Sequence, residues 1–176
     1  MPNWCQNTLS ISGNKNEINK VLELIRGNET AFDLNKVIPM PEEFKNTASP
    51  VPDDQKILQE QLAKKYGSSN WYDWSLNNWG TKWNTNGAEI IDDSGTSVKI
   101  YCDTAWSPPV PVVKALSKKF PKVRFVLSYC EPGMCFAGEL ECKGDEVTDN
   151  YYEATKNNAK YKKIAKDFGM DEEEDK

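Results

Sequence analysis

Three stretches of this chain alternate apolar and polar residues, with helical periods between them, and that order constrains the fold more than any single motif. Residues 4–12 set Cys5, Asn7, Leu9 and Ile11 on one side and Gln6, Thr8 and Ser10 on the other. Residues 96–103 set Val98, Ile100 and Cys102 inward and Lys99, Tyr101 and Asp103 outward, and residues 122–130 do the same with Val123, Phe125, Leu127 and Tyr129 inward. After the first stretch, Asn14 and Glu17 have capping-box spacing. Ile18, Val21, Leu22 and Ile25 then recur at helical spacing before Gly27. Ala88–Ile91 and the second stretch flank Asp92-Asp-Ser-Gly95, a hairpin signal. Ser107 as N-cap and Pro108 as first helical residue open a second helix, buried through Val112, Val113, Leu116 and Phe120.

Strand, helix, strand, strand, helix, strand is the ferredoxin-like split βαβ order of an α+β fold, with both helices on one sheet face. One further strand is expected over residues 135–142 and a last helix over 151–168, with Ala154, Tyr161, Ile164 and Phe168 on one side. The second sheet face carries Gln6, Thr8, Ser10, Lys99, Tyr101, Arg124 and Ser128, so it is either open to solvent or covered by an insertion. Residues 1–170 read as one domain with that insertion at about 28–86, and 171–176 as a disordered acidic tail. Within the insertion, 28–52 reads as extended and irregular, and about 52–66 as a helix with Ile57, Leu58, Leu62 and Tyr66 on one face. Trp71, Trp74, Trp79 and Trp83 follow. No single period fits all four rings, and the small polar residues between them favour irregular backbone. Trp71 and Trp74 read as pins that hold the insertion to the domain, and Trp79 and Trp83 as the more open pair.

Composition removes several classes of function. The chain has no histidine, which excludes Ser-His and Cys-His catalysis and the commonest zinc ligand. Its five cysteines, odd in number and poorly spaced for a metal knuckle, read as free thiols in a reducing cytoplasm, with no metal and no cofactor. The net charge is −5, of which the last six residues carry −4 and the rest −1, a balance that suits phosphate-backbone binding poorly. Neither a signal peptide nor a membrane span is expected.

Four ordered motifs carry a resemblance. They are the opening Met1-Pro-Asn-Trp4-Cys-Gln-Asn7, then Asn78-Trp-Gly-Thr-Lys-Trp83-Asn84, Thr104-Ala-Trp106-Ser-Pro-Pro109, and Tyr129-Cys-Glu131-Pro-Gly133 followed by Phe136-Ala-Gly138. They resemble the YubB-like family of phage- and plasmid-borne proteins with a ferredoxin-like domain. The resemblance spans most of residues 1–142, leaves the tail outside, and implies the fold without supplying an activity.

A site is expected where Trp79, Lys82 and Trp83 meet Asp103, Trp106 and Glu131 at one sheet edge. Aromatic walls, two carboxylates and one ammonium would suit a small polar ligand or a partner's side chain. The competing structural reading has Asp103 and Glu131 accept hydrogen bonds from indole and turn N–H groups. The functional expectation is a non-enzymatic cytoplasmic binding protein of mobile-element origin, with a protein or nucleic-acid partner. One alternative is an enzyme acting on a small polar or sugar-like substrate through Asp103 and Glu131, and another is a single-stranded nucleic-acid binder.

Overall fold

The computed structural model describes residues 3–50, 52–155 and 158–170; the expected acidic tail lies outside the described residues. Strand β1 (Trp4–Ser12) leads through Asn14, whose side chain accepts from Asn16 N–H, into α1 (Lys15–Ile25). The hairpin β2 (Asn86–Asp93) and β3 (Ser97–Ala105), then α5 (Val110–Lys119) and β4 (Arg124–Glu131), complete the expected order. Between α1 and β2 lie three further helices, α2 (Leu34–Val37), α3 (Lys56–Tyr66) and α4 (Trp71–Trp79). After β4 come β5 (Phe136–Lys143), β6 (Glu146–Glu153) and α6 (Ala159–Asp167).

The six strands form one antiparallel sheet in the order β2-β3-β1-β4-β5-β6. β1 sits at the centre, so Leu9 faces both Ile100 and Leu127. Alternation fixes the inward face: Leu9, Ile11, Val98, Ile100, Phe125 and Leu127 are fully or almost fully buried. They share one core with Ile18, Val21 and Ile25 of α1 and Val112, Val113 and Leu116 of α5. The two helices therefore cover the same face, as the element order requires.

Several expectations give way. The tryptophan segment is not irregular: residues 71–79 are helical, and only Trp83 lies beyond the helix end. Asn70 caps the start by accepting from Tyr72 and Asp73 N–H, and Gly80, at φ +79°, ends the helix. The stretch 28–52 also holds a helical turn at Leu34–Val37 and a 3-10 turn at Glu42–Phe44. In α3 the buried residues are Gln59 and Leu62, whereas Ile57 and Leu58 are exposed. The last helix starts at Ala159 rather than at 151, because residues 146–153 form strand β6. Val147, Thr148, Tyr151 and Tyr152 suit a pleated edge, and the two-residue turn Gly144-Asp145 folds them back on β5. Helix α5 starts two residues later than expected, with Pro109 at the N-cap position and no side-chain cap, while the Ser107 hydroxyl donates to Gly80 O.

The insertion does not cover the polar sheet face. Its Phe32, Leu34, Phe44, Leu62, Trp74 and Trp79 join the core on the α1/α5 side. The polar face is covered over β4–β6 by α6, through a separate small cluster of Cys130, Ala137 and Ala165 with half-buried Tyr161, Ile164, Phe168 and Met170. The two sheet edges differ: β2 has register shifts between Asn86 and Glu89 and between Ile90 and Asp92, whereas β6 pairs without interruption.

Candidate functional site

The end of the sheet where β1 begins is a hydrogen-bonded buckle. Asn7, fully buried, donates to Cys5 O at 2.8 Å, Cys102 O at 3.2 Å and Thr104 Oγ1 at 2.9 Å. Thr104 Oγ1 in turn donates to Ser107 O at 2.8 Å, and Ser107 Oγ to Gly80 O at 2.5 Å. Thr81 Oγ1 donates to Ala105 O at 2.8 Å. Trp106 sits at φ +73° with its N–H on Asn3 O. Gly80 has no room for a side chain: a Cβ there would lie 2.6 Å from Pro111 Cδ. The motifs Asn7, Gly80-Thr81 and Thr104–Ser107 thus meet at one seam, which fastens the end of α4 to β3 and α5.

Glu131 belongs to the same end of the sheet but is only 1% exposed. Its carboxylate accepts from Gly133 N–H at 3.0 Å and from Met134 N–H, so both oxygens are engaged in locking the β4–β5 turn. Asp103 accepts from Tyr101 OH at 2.9 Å on the polar face. Glu131 thus has the turn N–H partners of the structural reading, whereas Asp103 takes a phenol hydroxyl and no indole.

Beside the buckle the insertion carries a shallow, open cavity of about 430 Å³ lined by Met40, Lys45, Thr47, Trp71, Ser75, Trp79, Lys82, Trp83 and Asn84. Trp79, Lys82 and Trp83 are therefore together, while Asp103, Trp106 and Glu131 are not among its lining residues. Trp79 is 6% exposed, donates from Nε1 to Ile38 O at 2.8 Å, and meets Trp74 edge-on at 5.3 Å; it forms the floor. Trp83 is 39% exposed, lies 6.3 Å from Trp4, and carries the Lys82 ammonium 4.6 Å above its ring. The same ammonium is 5.6 Å from the Tyr72 ring. The cavity thus has apolar walls, two ammoniums at its rim and no carboxylate. Met40, Lys45, Thr47, Trp71, Ser75 and Asn84 are additions to the expected set. One signal for them was present: Trp71, Ser75 and Trp79 are spaced by four, a single helical stripe.

All five cysteines are free. Burial, with smaller effects from Cys130, Glu131, Cys102 and Asp103, holds the Cys5 thiol far above its usual range. Burial, then Asp103, pushes Cys102 up to about 12. Burial, then Glu131 and Cys135, pushes Cys130 up to about 11. These are protonated, unreactive thiols at neutral pH. Among the described residues no group of three or more Cys, Asp or Glu side chains could hold a metal ion.

A family model described as the ferredoxin-like domain in Api92-like protein matches residues 78–175. The chain belongs to that family. The matched region starts within α4 and takes in β2 to α6, so it includes residues assigned above to the insertion and to the tail. The central strand β1 and helix α1 lie before it. The crystal structure of the protein api92 from Yersinia pseudotuberculosis is similar over 88% of this chain and 99% of that one, with a TM-score of 0.58 and 11% identity, which shows a shared fold. No curated protein matches the chain. Among the described residues, no helix is long and apolar enough to cross a membrane.

Proposed function

We propose that the protein is a non-enzymatic binding module, an accessory protein of phage or plasmid origin acting in the bacterial cytoplasm, and that its contact surface is the tryptophan-lined cavity with the indoles around it. The observation that carries this is the exposure of Trp4, Trp83 and Trp106, at 36%, 39% and 40%. Exposed indoles gathered at one end of a domain mark an interaction surface, and tryptophan is enriched among the residues that dominate binding energy. The engagement of Glu131 with turn amides and of Asp103 with Tyr101 supports a binding role over a catalytic one. The mobile-element origin is supported by the resemblance of the four sequence motifs.

The test is affinity capture from a bacterial lysate with wild-type protein, Trp83→Ala and Lys82→Ala. Both side chains lie at the cavity mouth, so both variants should melt within a few degrees of wild type. A partner retained by wild type and lost by both variants is the expected result. Equal capture by all three would remove this surface from the function.

A further inference from the structure

We infer that the cavity takes an acidic, aromatic-bearing peptide segment of a partner protein, its flat side chain on the apolar surface and a neighbouring carboxylate on Lys82. This rests on the binding role proposed above and adds the chemistry of the partner.

The floor offers little for a ligand to hydrogen-bond. Thr47 Oγ1 donates to Phe44 O at 2.7 Å and accepts from Trp71 N–H at 2.8 Å. Ser75 Oγ donates to Trp71 O at 2.8 Å, and the Trp79 indole is spent on Ile38 O. The Asn84 amide accepts from Leu34 and Thr85 N–H and donates to Asp33. What remains is an open, mostly apolar surface over Met40, Trp71, Trp79 and Trp83, on which a flat ring can lie and which offers a polar molecule few partners.

The rim adds a sign. Lys45 is paired with Glu42 at 2.5 Å, but Lys82 pairs with no carboxylate among the described residues. It lies instead over Trp83 and Tyr72, a placement that fixes a cation at the mouth and leaves its anionic partner to come from outside. Single-stranded nucleic acid fits less well. A strand of phosphates needs a basic track, whereas this chain is acidic overall and presents one unpaired ammonium at this surface. A small free anion also fits less well, because the apolar surface runs on from Trp83 to Trp4, beyond the reach of a compact molecule. A peptide can lie on this surface, neutralise Lys82 and cover the neighbouring indole together.

The test is selection from a random dodecapeptide library against the intact protein, counter-selected on Trp83→Ala, followed by calorimetry with the enriched peptides and with octathymidylate. Peptides with Asp or Glu beside Phe, Tyr or Trp should be enriched, and Lys82→Ala should weaken them at least tenfold, about 1.4 kcal/mol. Neutralising their acids should cause a similar loss. Enrichment without acids, no wild-type-dependent peptide at all, Lys82→Ala binding equal to wild type, or octathymidylate displacing the peptides would each overturn the inference. A lysate partner still lost in Trp83→Ala would then leave the binding module standing with its partner class wrong.

Discussion

The insertion and helix α6 are both additions to the same sheet, and they are held by different physics. The insertion places Phe32, Leu34, Phe44, Leu62, Trp74 and Trp79 inside the main core, then ties itself down with Thr81 on Ala105 O and Ser107 on Gly80 O, while Trp79 on Ile38 O braces it from within. Helix α6 rests on the opposite face through one fully engaged residue, Ala165, over Cys130 and Ala137, with four side chains half buried around it. One is woven into the domain and the other leans on it. An element that shares core residues with the sheet must unfold with it, whereas one that sits on a separate patch can open alone. The binding surface proposed above would therefore sit on the attachment that shares the main core.

The largest expected effect breaks the woven side. Trp79→Ala should cost about 3–5 kcal/mol, since it empties a core position and removes the bond to Ile38 O. Denaturant unfolding should show that loss as one global transition. A small change confined to the cavity would mean the insertion folds independently.

The next effect separates the two regions by pH. The thiols of Cys5 and Cys102, at the buckle, and of Cys130, under α6, have folded pKa values raised above the 9.0 of a solvent-exposed cysteine. The folded state then holds protons that the unfolded state has released. Stability from this source is full below pH 9 and falls as pH rises through the folded values, by about 1.4 kcal/mol per pH unit for each thiol. Denaturant midpoints should drop steadily above pH 9, and Cys102→Ala should make the slope shallower. A flat profile to pH 11 would mean these thiols are not buried as described.

The smallest effect falls on the leaning side. Phe168→Ala should cost about 1 kcal/mol or less globally, because its ring is only half buried. Its mark should be local: faster amide exchange through Ala159–Asp167 with β4 and β5 unchanged. Uniform acceleration across the sheet would erase the contrast between the two attachments.

Most of the sheet was legible because its central strands alternate strictly; Leu9, Ile100 and Leu127 are in register as the pattern implied. What was not legible depended on partners far along the chain. Helix α4 was hidden by the small polar residues between its rings, which read as turn formers although Asn70 and Gly80 cap a regular helix there. Tyr151 and Tyr152 read equally well as helix until pairing with β5 decided for strand. At the site, Trp79, Lys82 and Trp83 share a cavity as the local sequence suggested. Asp103 and Glu131 do not line it, since Tyr101 and the turn amides of Gly133 and Met134 claim them. Lys45 and Thr47 could not be foreseen, because the loop that brings them there has no period.

The central position of β1 governs when this protein can fold during synthesis. Asn7 and Cys102, which bond to each other, are 95 positions apart, and the other neighbour of β1 ends only at Glu131. At typical translation rates the first strand must wait on the order of ten seconds for both flanking strands to leave the ribosome. In that interval Leu9 and Ile11 have no sheet to enter. Folding is thus dominated by distant pairings and is slow for a domain of this size. It also stays incomplete until the residues of β4 have emerged, so a chain released before that point would leave at least one edge of β1 unpaired.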